Sequence, residues 1–138
     1  MYPPELVAPM KSELTEIGFK ELLTPEEVDS VLNDTQGTTL VVVNSICGCA
    51  ARMARPAVRM ALQQSAKKPK RLTTVFAGVD RESTQRAREY MLPYPPSSPS
   101  IALFKDGKLV HFLERHHIEG RPAEVIAENL KAVFNEYC

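Results

Sequence analysis

Tryptophan is absent from this sequence, and so is any excess of charge. Seventeen basic and seventeen acidic residues cancel, which argues against a partner held by bulk charge, such as nucleic acid or a membrane surface. No apolar run approaches the roughly 18 residues that a spanning helix needs. The opening MYPPELVAPMKSEL has neither the basic nor the apolar stretch of a secretory signal. The expected location is therefore the cytoplasm, where a close cysteine pair is expected to do chemistry or hold a metal rather than brace a fold. Acidic residues are also missing locally. Between Asp34 and Asp80 there is none, while Arg52, Arg55, Arg59, Lys67, Lys68, Lys70 and Arg71 all fall there. Two of the three cysteines, Cys47 and Cys49, lie inside that basic segment, and a positive neighbourhood favours thiolate over thiol.

The 138 residues suit one domain, with residues 1–37 an N-terminal arm and helices and 38–138 the core. The Pro-rich start (Pro3, Pro4, Pro9) reads as an extended arm, followed by a helix over MKSELTEIGFKEL with Leu14, Ile17 and Phe19 turned inward. TPEEVDSVLND carries a helix start: Thr24 as N-cap, Pro25 in the first turn and Glu27 closing a capping box. TTLVVVNS, apolar on both faces, reads as a buried central strand. A helix over AARMARPAVRMALQQSA follows, which Pro56 should kink. One face holds Met53, Ala57, Met60 and Ala61, and another holds Arg52, Arg55 and Arg59. RLTTVFAGV is a second strand, and Asp80 is placed to cap the helix after it. IALFKDGKLVHFLE reads as two strands joined by the turn Asp106-Gly107. The last helix should bury Val125, Ile126, Leu130, Val133 and Phe134. The order α, α, β, α, β, α, β, β, α predicts an α/β domain with a mixed four-stranded central sheet flanked by helices.

The sharpest feature is NSICGCAARMARP, with Cys47-Gly48-Cys49 where a strand gives way to a helix. A helix start carries unpaired N–H groups and partial positive charge. Cys47, nearer the strand, is expected to be the nucleophilic thiolate, and Cys49 the less accessible resolving thiol. A disulfide closed across one residue makes a smaller, more strained ring than one closed across two, and strained disulfides are more easily reduced. The pair is thus suited to transient closure. Arg52 and Arg55 are candidates for holding an anionic substrate, because a guanidinium matches a carboxylate. Cys138, the last residue, reads as a bystander on a frayed end that could instead resolve an adduct or bridge two chains.

The element order, the cysteine pair and SSPSIALFKDGKLV together resemble the thioredoxin fold, here with an N-terminal helical extension. The resemblance implies a cis proline at Pro99 beside the thiols, with Ser98 offering backbone hydrogen bonds to substrate. The departures are Cys-x-Cys for Cys-x-x-Cys, Ile46 for an aromatic residue, and Val41 near the place of a buried acid. Cys-Gly-Cys-Ala followed by ARMARP resembles the bacilliredoxin family. That implies a thiol–disulfide oxidoreductase removing bacillithiol, or a similar low-molecular-weight thiol, from mixed disulfides on client proteins. Bacillithiol would be a co-substrate, with no tightly bound cofactor and no metal. The alternatives are a general disulfide isomerase or reductase and, in a different class, a metal-handling or thiol-sensing protein using Cys47 and Cys49 with His111, His116 or His117.

Overall fold

In a computed structural model, which describes residues 2–33 and 36–138, the apolar run takes the middle of the sheet. Strand β2, Thr38–Asn44, is buried at every position. Its side chains alternate between two cores. Leu40 and Val42 pack with Ala57, Val58 and Ala61 and with Ile126, Leu130 and Phe134. Val41 and Val43 pack on the opposite face with Leu22, Val28, Leu32, Ala87 and Met91. A strand covered on both faces has no polar side to present, which is why its sequence does not alternate.

Five strands form the sheet in the order β1-β3-β2-β4-β5, one more than the sequence predicts. The extra strand is β1, Lys20–Glu21, paired in parallel with β3, Arg71–Phe76. Helix α1 runs over Pro4–Thr15, so the supposed extended arm is helical, with Pro4 in its first turn and Pro9 inside it. The helix stops before Gly18, whose φ of +102° no other residue adopts easily, and the chain then turns Phe19 into the core. β2 is parallel to β3 and antiparallel to β4, Ser100–Lys105. β4 meets β5, Lys108–Leu113, across Asp106 and Gly107, both at positive φ as a tight hairpin turn requires.

Helix α2, Pro25–Leu32, starts as expected. The Thr24 hydroxyl accepts from the Glu27 N–H, while the Glu27 carboxylate accepts from Leu23 rather than from Thr24. Asp34, the expected end of that helix, lies outside the described residues. Asp80 precedes α4, Arg81–Tyr90, without a side-chain cap; its carboxylate pairs with Lys11 at 3.0 Å instead. The final helix α6, Ala123–Tyr137, buries Ile126, Leu130, Val133 and Phe134 but leaves Val125 more than half exposed. A short helix α5, Arg115–Ile118, sits between β5 and α6.

The stretch around Pro56 is not a continuous α-helix. A π-helical turn, Ala50–Ala54, leads into α3, Arg55–Gln64, with the Arg55 N–H donating to the Ala50 carbonyl. Pro56 has no N–H to donate, and its ring would press on the carbonyl four residues back. The wider turn relieves that crowding, and it also rotates everything after it relative to a 3.6-residue period.

Candidate active site

Strand β2 delivers the chain to the site through a polar anchor. The Asn44 side chain donates to the Met10 carbonyl of α1 and accepts from the Ser45 N–H. Arg55 Nη1 donates to Asn44 Oδ1 at 2.8 Å and to the Ser45 carbonyl at 3.0 Å. Arg55 Nε lies 3.1 Å from Glu13 Oε1, an ion pair without hydrogen-bond alignment. Arg55 is 2% exposed, so it does not share the solvent stripe of Arg52 and Arg59 and is not placed to receive a substrate. What covers it is the N-terminal helix, whose Glu13 pairs with its guanidinium and whose Met10 carbonyl holds Asn44. Arg52 remains exposed, and its guanidinium lies 3.3 Å from where a Cβ on Gly48 would stand.

The helical chain opens at Gly48, with the Ala50 and Ala51 N–H groups both donating to the Cys47 carbonyl. The Cys47 sulfur takes the capping place, accepting from the Cys49 N–H at 3.3 Å. Burial pushes the Cys47 thiol up. The Cys49 N–H and thiol, the Arg115 cation and the Ala50 N–H favour the thiolate, and together they hold Cys47 below the ordinary thiol value. Cys49 is placed oppositely. Burial, its hydrogen bond to Cys47, the Glu119 carboxylate and the Cys47 charge push it up to about 11, against a smaller pull from Arg115. Its thiol donates to Glu119 Oε2 at 3.4 Å. All three cysteines are unbonded thiols.

Ser98 comes to the same place, with Pro99 next to it in the chain. The Ser98–Pro99 bond is cis, as is Leu92–Pro93. Ser98 lines a cleft of about 350 Å³ with Cys47, Ile46, Arg88, Arg115 and Tyr2. The Ser98 carbonyl already accepts from Arg115 Nη1 at 3.3 Å. Val41 is fully buried, as expected of a strand with no acid. The carboxylate beside the thiols is Glu119, which arrives from the end of α5 and is ion-paired with Arg115 at 3.1 Å. Arg115 and Glu119 are absent from the sequence-based expectations, because RHHIEG carries no motif and only the fold brings it back to the cysteines.

Cys138 is not frayed. Its N–H donates to the Phe134 carbonyl at 2.9 Å, and it packs against the core. Burial raises its thiol, while the Thr38 side chain, hydrogen-bonded to it, pulls the other way. Thr38 begins β2 and Asn44 ends it, so Cys138 sits roughly 20 Å of strand from Cys47. It is out of reach as a resolving thiol within one chain. The ligand atoms of Glu114, His116 and His117 lie within 4.8 Å of one another, and neither Cys47 nor Cys49 joins them among the described residues. His117 Nδ1 accepts from the Glu114 N–H.

A family described as disulphide isomerase matches residues 2–138. A bacilliredoxin of Cytophaga hutchinsonii is 62% identical over 136 residues, spanning 99% of each chain. The chain belongs to the bacilliredoxin family. A second bacilliredoxin, from Halalkalibacterium halodurans, is 54% identical over 99% of this chain and 94% of its own. Among solved structures, mitochondrial thioredoxin 3 of Saccharomyces cerevisiae aligns with a TM-score of 0.60 over 91% of this chain and 99% of its own at 17% identity. The thioredoxin of Malassezia sympodialis aligns at 0.57 over 87% and 90%, with 13% identity. The fold is thus thioredoxin-like, and the family is one of thiol–disulfide redox proteins. No helix among the described residues is long and apolar enough to cross a membrane.

Proposed function

We propose that this bacilliredoxin-family chain removes bacillithiol, or a similar low-molecular-weight thiol, from mixed disulfides on client proteins, with Cys47 as the attacking thiolate. The observation that carries this reading is the opposed setting of two thiols two residues apart: Cys47 is held toward thiolate and Cys49 is pushed up to about 11. Only a thiolate attacks a disulfide at a useful rate. The Cys47 thiolate attacks the small-thiol sulfur of the mixed disulfide. A bond forms between Cys47 and that sulfur, the bond to the client breaks, and the client leaves as its own thiolate.

Once it is in a disulfide the Cys47 sulfur carries no negative charge, so two of the influences that raise Cys49, the hydrogen bond to that thiolate and its charge, disappear. Glu119, within hydrogen-bond reach of the Cys49 thiol, can then take its proton. Cys49 attacks Cys47, their short disulfide forms, and the small thiol leaves. An external thiol reductant reopens the bridge; alternatively, a second small thiol attacks the adduct directly. Ser98, Pro99 and Arg52 are the residues assigned to positioning the substrate, through the cleft and the exposed helix face.

The test is intact-mass analysis after mixing each variant with a bacillithiol-modified client protein. Cys47→Ser takes up no adduct, and Cys49→Ser takes up one and stalls until an external thiol is added. Adduct uptake by Cys47→Ser but not by Cys49→Ser would reverse the assignment. Isomerisation of protein disulfides is a second reading, favoured by the description of the matching family. It also needs an attacking thiolate whose partner is slow to close. Recovery of a protein refolding from scrambled disulfides, at a rate comparable with adduct removal, would support it.

A further inference from the structure

Arg88 has no place in the chemistry of Cys47 and Cys49, and its setting is unusual for a cation. It projects from α4 and is half-buried. Among the described residues its Nε is buried without an acceptor, and its one hydrogen bond is a long one, Nη2 to the Ser97 carbonyl at 3.4 Å. Among the described residues no carboxylate pairs with it, whereas Arg55, Arg86 and Arg115 each have one. Burial disfavours its charged form. A partly desolvated guanidinium without a counter-charge is an unfavourable arrangement for folding alone, and its fork of donors is suited to a carboxylate.

What Arg88 faces is the active cleft. It lines the cleft of Cys47 together with Arg115 and Ser98. It also lines an adjoining cavity of about 420 Å³, with Leu92, Tyr94 and Pro96 on one side and Thr84 and Gln85 on the other. Gly78 and Arg88 are common to both, so Arg88 stands where the two meet. Volumes of this size are those of small-molecule pockets, about 300–1,000 Å³. Arg88 and Arg115 hold consecutive carbonyls, of Ser97 and Ser98, which fixes both cations to the loop that ends at Pro99. Arg115 already has Glu119 as a counter-charge; Arg88 has none among the described residues.

We propose that Arg88 is the anion subsite of the Cys47 cleft, seating a carboxylate of the low-molecular-weight thiol while its sulfur is transferred to Cys47. The inference rests on the reading that this cleft receives a small-thiol adduct, and it assigns the preference for acidic thiols to Arg88 rather than to Arg52 or Arg55. The thiol itself runs from the Cys47 sulfur toward the meeting point of the two cavities. Its remaining groups lie along Leu92 and Tyr94.

Two measurements test this, and they fail separately. The first needs no turnover: Cys47 is alkylated with anionic iodoacetate and with neutral iodoacetamide, and the two rates are compared by mass spectrometry of the Cys47 peptide. Arg88→Leu should lower the iodoacetate-to-iodoacetamide ratio about three- to tenfold. Arg88→Lys should restore part of it, and added salt should lower the wild-type ratio. An unchanged ratio in Arg88→Leu, or an equal fall for both reagents, overturns the subsite. Should Arg88→Leu not fold, Arg88→Gln and the salt series on the wild-type protein decide the question by the same ratio.

The second measurement compares kcat/KM on one reporter protein carrying mercaptosuccinate, 2-mercaptoethanol or cysteamine in mixed disulfide. Arg88→Leu should lose about five- to twentyfold on the mercaptosuccinate adduct, mainly through KM, and little on the other two. Equal loss on all three overturns the subsite. If the wild-type protein transfers none of the three while the alkylation ratio responds to Arg88, the subsite stands and the adduct-removal reading falls.

Discussion

The two ends of β2 carry cysteines that meet opposite fates. At the end by Asn44 the chain presents Cys47 and Cys49 beside an open cleft, with an ion pair, a helix start and an uncompensated cation around them. At the end by Thr38, Cys138 packs against the core. There the hairpin turn is locked by Asp106, whose carboxylate accepts from the Gly37 N–H at 2.8 Å and whose N–H donates to the Gly37 carbonyl. One strand thus separates a region where polar groups are left available from one where they satisfy each other. Reactivity follows the surroundings of a thiol, not its presence.

Four changes test that contrast. The largest effect is expected from Cys47→Ser, which should abolish reaction with a disulfide-bonded small thiol, read as total loss of adduct in an intact-mass spectrum. Next comes the pH dependence of alkylation. Rates rise with pH as thiolate forms, so Cys47 should have its midpoint below the ordinary thiol value and Cys49 near 11. Blocking Cys47 with a neutral group should bring the Cys49 midpoint down, because the Cys47 charge and hydrogen bond raise it. An unmoved Cys49 would mean that burial and Glu119 alone set its value.

Arg115→Leu is expected to be milder. Solvent screens an exposed cation near a thiolate, so the reaction of Cys47 with iodoacetamide at pH 7 should slow by only about two- to fivefold. Arg115→Lys should keep most of that rate, since it retains the charge. Asp106→Ala, at the quiet end, should lower stability to urea by about 1–2 kcal/mol through the lost hydrogen bond and the turn. It should leave the Cys47 alkylation rate unchanged. A changed rate there would show that the two ends of β2 are coupled.

Much of this architecture is legible in the chain. LVVV without alternation marks a strand covered on both faces, Thr24-Pro25 starts a helix, and Asp106-Gly107 turns a hairpin, because each is a local rule obeyed locally. Cys-Gly-Cys at a strand end marks the place of the candidate site for the same reason. The failures have a common cause. Arg55 is misplaced because a helix distant in sequence packs over it, and the local spacing of the arginines does not reveal that. Arg115, Glu119 and Arg88 are invisible because their roles depend on segments far apart in sequence meeting at one cleft. The N-terminal segment reads as an arm, yet its backbone holds Asn44 and its Glu13 faces Arg55.

The sheet order also governs how the chain must assemble. β2 lies between β3 and β4, so Val43 finds its partners in Val75 on one side and in Ser100 on the other. β1 in turn waits for β3. Three of the four strand pairings are therefore distant along the chain, the β4–β5 hairpin being the exception, and such pairings form slowly because long loops must close before pairing rewards them. During synthesis the most aggregation-prone stretch, Leu40 to Val43, emerges well before the strand that finally covers its second edge. In that interval its uncovered edge offers unpaired N–H and C=O groups to any other strand nearby.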